Sequence, residues 1–383
     1  MVNVREASHA GSWYSSSRDK LDTQLTTWLE KAGRETKDGD ALPIRNLRAI
    51  IAPHAGYSYS GPSAAFAYKC IDPSKFKRVF LLGPSHHVYL PGCALSKCDE
   101  YETPLGNLII DKETTKKLHA TGQFSEMSFE TDEREHSLEM HLPYLYKCFE
   151  PNTTIPAPSK TLRIDPPQVL LVPILVGALT TAKEAHYGQL LAPYLNDPDN
   201  LFVISTDFCH WGTRFDYTYY ADHHGHVSHH LHHQYQKAAI KGNGGGAGPS
   251  PPQDPPIFSS IERLDHEGMT QIESGSHSAF AEYLHRTKNT ICGRHPIGVL
   301  MAAIEALEKT EEAAEERKHN NNDSNNGGSG GGDWLEQQQQ LQQKHQKYKH
   351  HRIRFVHYAQ SSQVRTIQDS SVSYASAFCT KDV

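Results

Sequence analysis

The sequence has little of what several protein classes require. Its 383 residues include only seven cysteines, none of them in a CxxC pair, which argues against a disulfide framework or a zinc ribbon. No apolar run approaches the roughly 18 residues of a membrane span, and the first residues lack the apolar stretch of a secretory signal peptide. We therefore expect a protein of a reducing compartment, the cytoplasm, with the nucleus as an alternative.

Positive charge is not in excess either. Lysine and arginine number 38 against 44 acidic residues, which gives a formal charge of −6. A nucleic-acid-binding surface needs clustered basic residues, so we expect no nucleic-acid partner. The motifs GxGxxG and GxxxxGK[ST] are absent, so the sequence gives no support for a nucleotide cofactor.

Histidine, by contrast, is abundant. Seven of the 25 histidines crowd into the run DHHGHVSHHLHHQYQK at 222–237. If this run is helical, His226, His230 and His233 share a face and could hold a divalent ion weakly. The preferred interpretation is a solvated segment that gains positive charge below about pH 6.5.

Three segments have the composition of insertions into a folded core. They are a proline-rich run at about 151–167, a glycine- and proline-rich run at about 242–256, and a low-complexity run at about 309–350. Such compositions bury almost no apolar surface. The rest of the chain is expected to form one α/β domain that spans 1–383.

The pattern of apolar residues predicts the fold class. Four runs, at 48–54, 78–87, 168–177 and 200–212, are nearly continuous in Val, Ile, Leu or Phe, which is typical of strands buried on both faces. Amphipathic helical patterns lie between them, and a further strand is predicted at 352–362. The alternation predicts an α/β fold with a central, mostly parallel sheet flanked by helices on both faces.

Chemically active side chains follow three of these four strands. His54 follows the first strand, His86 and His87 follow the second, and Asp207 and His210 follow the fourth. In open α/β sheets, ligands bind beyond the carboxyl ends of the strands. The sequence therefore predicts a shared polar site at this edge of the sheet.

Two further residues are candidates for the same site. Cys292 precedes a predicted helix that begins near Pro296, and the helix dipole together with Arg294 predicts a lowered thiol pKa. Two imidazoles with an anionic ligand suit Fe(II), whereas imidazole with thiolate suits copper or zinc equally well, so spacing leaves the metal open. His136 lies in EHSLEMHLPY, which matches no zinc-hydrolase motif, and is a candidate general acid or base.

Nine motifs, in order, closely resemble the Memo family (mediator of cell motility). They are REASHAGSWY, IIAPHAGYSYSG, LLGPSHHV, TDEREHSLEMHLPY, PILVGAL, STDFCHWG, NTICGRHPIGVL, YAQSSQ and QDSSVSYA. The resemblance covers residues 5 to 378, interrupted by the three insertions. It implies a Memo-like domain whose fold is similar to that of the class III extradiol non-haem iron dioxygenases.

The resemblance also implies a ligand set. The family's metal ligands correspond here to His54, His86 and Cys292, which implies one iron or copper ion per chain. Asp207 and His210 match residues that line the same pocket in the family.

The resemblance implies roles for three further residues. His136 occupies a place comparable to the acid/base histidine of the dioxygenases. Trp13 and Tyr59 match aromatic residues at the pocket mouth, where binding of phosphotyrosine peptides has been proposed for the family.

Three functions follow from this reading. The first is a metal-dependent redox protein that acts in metal-linked signalling and cell motility. The second is a non-catalytic adaptor whose pocket binds a signalling protein or phosphopeptide. The third is an extradiol-type dioxygenase for a small phenolic substrate, which is disfavoured because an oxidisable thiolate replaces the usual carboxylate. Whether the protein is an enzyme is left open.

Overall fold

A large mixed sheet forms the centre of the protein in the computed structural model, which describes residues 2–150, 169–233, 254–322 and 350–382. The strands in chain order are β1 (Val4–Arg5), β2 (Leu47–Ala52), β3 (Arg78–Pro84), β4 (Cys93–Leu95), β5 (Glu100–Tyr101), β6 (Leu108–Ile110), β7 (Phe124–Glu126), β8 (Leu170–Val176), β9 (Asn200–Ser205), β10 (His210–Trp211), β11 (Tyr220–Ala221), β12 (Val227–Ser228), β13 (His351–Gln360) and β14 (Ser371–Lys381). All but β11 and β12, which pair with each other, belong to this sheet.

The helices that cover the sheet are α1 (Arg18–Lys31), α2 (Tyr57–Tyr68), α3 (Lys112–Ala120), α4 (Phe129–Arg134), α5 (His136–Glu139), α6 (Leu142–Phe149), α7 (Thr181–Asn196), α8 (Ile257–Glu273), α9 (His277–Thr287) and α10 (Arg294–Asn322). Among the described helices, none is both long enough and apolar enough to cross a membrane.

The sheet combines parallel and antiparallel pairs. Strands β6, β8, β3, β9 and β2 form four consecutive parallel pairs at its centre. Antiparallel pairs join β14 to β2, β13 and β10, and also join β5 to β6 and β4 to β8. The α/β class and the five predicted strands are confirmed, but "mostly parallel" needs correction to a mixed sheet. Strand β14 was not predicted, because its run SVSYASAFCTK is rich in serine and alanine and lacks the branched apolar pattern of a buried strand.

The central strands are buried on both faces, as their apolar runs predict. Phe80 and Leu82 belong to one core, together with residues of α7 and α10. The intervening Val79 and Leu81 belong to the other core, together with residues of α1, α2 and α6. Alternate side chains of one strand thus pack into two different cores, which is why the strand has no polar face.

The predicted insertions fall largely outside the described residues. The run at 151–167 lies there entirely, as does most of the run at 242–256 and residues 323–349 of the third run. Residues 309–322 of the third run belong to α10, which ends at Asn322, and Glu311 on this helix forms a 2.6 Å ion pair with Lys381 of β14. The boundaries of the insertions stay predictions. The expectation of a single domain stays a prediction.

Candidate metal centre

Three adjacent parallel strands deliver the predicted polar residues to one edge of the sheet. Strand β9 lies between β2 and β3, so the carboxyl ends of all three strands meet. His54, Asp207 and His86 each lie two residues beyond one of these ends. The predicted convergence at the sheet edge is therefore present.

A cavity of about 560 Å³ opens at this edge. Seven of the eight residues singled out from the sequence line it: Trp13, His54, Tyr59, His86, His136, Asp207 and His210. The eighth, Cys292, contacts His54, with its sulfur 3.1 Å from the His54 Nε2 atom. The structure therefore brings the whole predicted set together.

Hydrogen bonds fix the orientation of the His54 ring. Its Nδ1 atom lies 2.6 Å from the hydroxyl oxygen of Ser205, and that hydroxyl lies 2.7 Å from the carbonyl oxygen of Ser137. Because the single hydroxyl proton is donated to the carbonyl, Ser205 accepts its hydrogen bond from His54 Nδ1–H. The Nε2 lone pair of His54 is thus left for a ligand.

Glu135 orients the His86 ring in the same way. The His86 Nδ1 atom lies 2.9 Å from Glu135 Oε1, and the His86 backbone N–H donates to Glu135 Oε2 at 2.7 Å. Burial favours a neutral Glu135, yet the hydrogen bond and charge of His86 outweigh it and hold the pKa of Glu135 at about 2. An ionised carboxylate only accepts hydrogen bonds, so Nδ1 carries a proton in either form of His86, and Nε2 is the nitrogen that offers its lone pair in the neutral ring.

Cys292 reaches the strand end through a glycine. A Cβ atom at Gly293 would collide with the carbonyl of Ser205 and the side chain of Thr206, so only glycine lets this loop approach β9 so closely. The Cys292 sulfur accepts a hydrogen bond from the Asp207 backbone N–H at 3.0 Å.

The expected lowering of the Cys292 pKa is wrong for the metal-free protein. Burial raises the pKa of this thiol well above its usual value, and the neighbouring carboxyl group of Asp207 raises it further. Arg294 is exposed, with its guanidinium directed at the carbonyl of Ile291, so it offers the sulfur little compensation. A cation bound at the sulfur would supply the missing positive charge.

The ring planes distinguish between possible ligand sets. One nitrogen each from His54, His86 and His136 lie within 4.8 Å of one another, a group that does not include Cys292. However, the rings of His86 and His136 are stacked at 4.3 Å and 23°, whereas those of His54 and His86 meet at 77°. An imidazole binds a metal in its own plane, so stacked rings cannot both reach one ion. The ring planes therefore favour the pair His54 and His86 over the pair His86 and His136, and the Cys292 sulfur lies 3.1 Å from the Nε2 atom of His54.

Three groups around this pair can hold or release protons. Burial raises the pKa of Asp207 to about 7, although backbone N–H groups of His54 and Ala55 oppose the shift. Burial lowers the pKa of His136 to about 3, and the positive charge of His86 lowers it further. Burial also lowers the pKa of His210, whose Nδ1 lies 2.9 Å from the carbonyl oxygen of Phe208 and donates to it. Two neutral imidazoles and a carboxyl group that titrates near neutrality thus line the cavity.

The cavity mouth combines aromatic and cationic side chains. Trp13 is 36% exposed and Tyr59 is 62% exposed, and the Trp13 ring lies 4.5 Å from that of His136. Arg214 lines the same cavity. This arginine was not among the predicted site residues, although it lies only two residues beyond the STDFCHWG motif.

Sequence reasoning also missed the two residues that orient the ligands. Ser205 is the last residue of β9 and Glu135 precedes α5. Both lie within the quoted motifs STDFCHWG and TDEREHSLEMHLPY, which was a usable signal, because metal-binding histidines commonly donate their second nitrogen to an oxygen nearby.

The histidine-rich run does not form the helical face that its spacing allowed. His226 precedes β12 and pairs with Asp222 at 2.9 Å, whereas His230 and His233 stack on each other at 5.3 Å. None of the three belongs to a metal-binding group within the described part of the chain.

Comparison with known proteins gives consistent matches. A family model described as "Memo-like protein" matches residues 5–327. Protein MEMO1 of Homo sapiens is 43% identical over 379 residues, which cover 99% of this chain and 98% of the relative. Protein MEMO1 of Danio rerio is 44% identical over 371 residues (97% and 95%), and Protein memo-1 homolog of Caenorhabditis elegans is 38% identical over 374 residues (98% and 82%).

Proposed function

The chain belongs to the Memo-like protein family, and we propose that it binds one redox-active ion, iron or copper, through His54, His86 and Cys292. The observation that carries this proposal is the matched orientation of the two imidazoles. Ser205 and Glu135 each hold an Nδ1–H group, so both Nε2 lone pairs are available at the same sheet edge. Such outer hydrogen bonds fix the tautomer and orientation of metal-binding histidines.

The donor set fits iron or copper chemically. Imidazole suits both metals, and a thiolate adds a soft donor that favours Cu(I). When bound, the ion would supply one-electron redox chemistry. The chain's own residues would hold it, fix the Nδ1 protons of the two histidines, and pass protons at Asp207, His136 and His210, which line the cavity.

We propose a cellular role in redox or metal-linked signalling and cell motility, in the cytoplasm or the nucleus. The family membership supports this role. The proposal includes a fold similar to that of the class III extradiol non-haem iron dioxygenases, with a thiolate in place of the third, carboxylate ligand.

Metal analysis tests this function. The full chain, purified without added metal and then exposed to Fe(II) or Cu(I) under reducing conditions, is expected to bind one equivalent tightly, and Cys292→Ser is expected to lose it. Cys148→Ser is the matched control, because Cys148 is a partly buried cysteine on α6, outside the cavity lining. Equal metal content in wild type and Cys292→Ser would contradict the proposal.

Arg214 favours a second candidate, an adaptor that binds a phosphotyrosine peptide. A guanidinium binds phosphate through paired hydrogen bonds, and the exposed rings of Trp13 and Tyr59 could pack on the aromatic residue. If this function is correct, metal-free protein should bind a phosphotyrosine peptide in calorimetry, and Arg214→Gln should abolish that binding. Equal binding of the unphosphorylated peptide would reject it.

A further inference from the structure

A second group of metal-ligating side chains lies beside the first. Ligand atoms of His87, Glu135 and His136 all lie within 4.8 Å of one another. His87 is exposed, the Glu135 side chain is 1% exposed and that of His136 is 14% exposed. The group thus joins a solvent-facing imidazole to a buried carboxylate.

The ring planes of His87 and His136 allow both imidazoles to bind one ion, whereas those of His86 and His136 do not. The rings of His87 and His136 lie 5.8 Å apart and meet at 76°. Two imidazoles on one tetrahedral ion, each bound at about 2.0–2.1 Å, place their ring centres about 5 Å apart. Small side-chain rotations therefore bring both nitrogens onto one ion.

Glu135 has one lone pair left to give. Its Oε1 atom accepts hydrogen bonds from His86 Nδ1 at 2.9 Å and from the Ser137 backbone N–H at 3.0 Å. Its Oε2 atom accepts one, from the His86 backbone N–H at 2.7 Å. A carboxylate offers about four acceptor positions, so one position on Oε2 stays open.

The two imidazoles are likewise uncommitted. Within the described residues, the ring nitrogens of His87 and His136 accept or donate no hydrogen bond, and the closest approach of His136 to Glu135 is 3.6 Å. A partly buried imidazole without a hydrogen-bond partner is costly unless another ligand satisfies it.

We propose that His87, Glu135 and His136 form a second metal site, for a borderline divalent cation such as Zn²⁺. Two histidines and one glutamate with an open fourth position are a donor set that Zn²⁺ takes in proteins. The site uses none of the three ligands proposed for iron or copper, although Glu135 also orients His86 of that site. The effect of this second ion rests on the proposed function. An ion bound to His136 would block the proton transfer proposed for that imidazole, and would therefore inhibit redox chemistry at the iron or copper site.

Equilibrium dialysis of the metal-free full chain against Zn²⁺, with elemental analysis, tests the second site. Wild type is expected to retain two tight equivalents and His87→Gln one. His119→Gln is the matched control, because His119 is an exposed histidine outside both groups. Weak binding by the histidine-rich run is common to all variants and cancels in the comparison. Because His87 is exposed, an unchanged thermal melting curve of His87→Gln is expected and excludes misfolding.

The Cys292→Ser variant separates the two proposals. One equivalent in Cys292→Ser that is lost when His87→Gln is added supports both sites. Two equivalents in Cys292→Ser and one in His87→Gln would reject the thiolate site and keep the second site. Equal Zn²⁺ content in wild type and His87→Gln would overturn the second site, whatever Cys292→Ser shows.

Discussion

Ser205 holds His54 in a single tautomer. The Ser205 hydroxyl donates to the Ser137 carbonyl oxygen at 2.7 Å and accepts from His54 Nδ1 at 2.6 Å. One buried hydroxyl thus determines which nitrogen of His54 faces Cys292. The metal affinity of the site should therefore depend on a residue that is not itself a ligand.

Removing this hydroxyl should weaken metal binding without unfolding the protein. Ser205→Ala is expected to lower the affinity for Fe(II) or Cu(I) by roughly 10- to 100-fold, because His54 can then turn or change tautomer. Competition with a chelator of known affinity measures the change. Ser376→Ala is the control, since this buried hydroxyl of β14 also donates to a carbonyl oxygen, that of Ser63, at 2.7 Å. Equal affinities in the two variants would contradict the role of Ser205.

A buried carboxylate should make stability depend on pH. Burial alone would raise the pKa of Glu139 from 4.5, yet hydrogen bonding by His9 and the charge of Arg5 hold it at about 2. A pKa lowered in the folded state stabilises the protein above pH 4.5, and this contribution disappears as the pH falls towards 2.

The Glu139→Gln variant isolates this contribution. Wild type should be more stable than Glu139→Gln at pH 7, and the difference in free energy of unfolding should be about 2 kcal/mol smaller at pH 3. Urea unfolding at both pH values measures it. A difference that does not change with pH would show that Glu139 is not ionised in the folded protein.

Arg5 should be essential for stability because it is the cation that pairs with this buried carboxylate. Its buried guanidinium contacts Glu139 at 2.7 Å and Asp132 at 3.2 Å, and none of the three side chains is more than 1% exposed. Arg5→Met leaves two buried carboxyl groups without their cation, so it should cost about 3–5 kcal/mol of unfolding free energy. The urea midpoint measures the loss. Arg134→Met, which removes only an exposed pair with Glu130, should leave the midpoint unchanged.

The sequence was sufficient to predict which residues meet at the site, but not the pKa of its thiol. His54, His86 and Asp207 could be placed because the ends of buried parallel strands meet at one edge, whatever the tertiary details. The pKa of Cys292 could not, because the helix dipole and Arg294 are local features, whereas the burial that dominates comes from distant segments packed around the sulfur.

The fold, too, could be predicted only in part from the sequence. The apolar runs of β3 and β8 were sufficient to predict buried strands, because both faces of each strand enter a core. Strand β14 was missed because its alternating small residues pack where hydroxyl groups find backbone partners, as Ser376 does with Ser63. Such partners exist only in the folded protein.

Ring-cleaving activity should be absent. A thiolate in the third ligand position can itself be oxidised, and it replaces the carboxylate of the usual iron site. We expect iron-loaded protein to show no sustained oxygen uptake with a panel of catechols, as measured with an oxygen electrode. Uptake that continues over many turnovers and stops in His54→Ala would instead favour the dioxygenase function.

X-ray absorption spectroscopy of the metal-loaded protein tests the central claim most directly. If His54, His86 and Cys292 hold the ion, the spectrum will show imidazole nitrogens together with one sulfur scatterer. The sulfur contribution will disappear in Cys292→Ser and persist in Cys148→Ser. A coordination shell of nitrogen and oxygen alone in the wild-type protein would contradict the account.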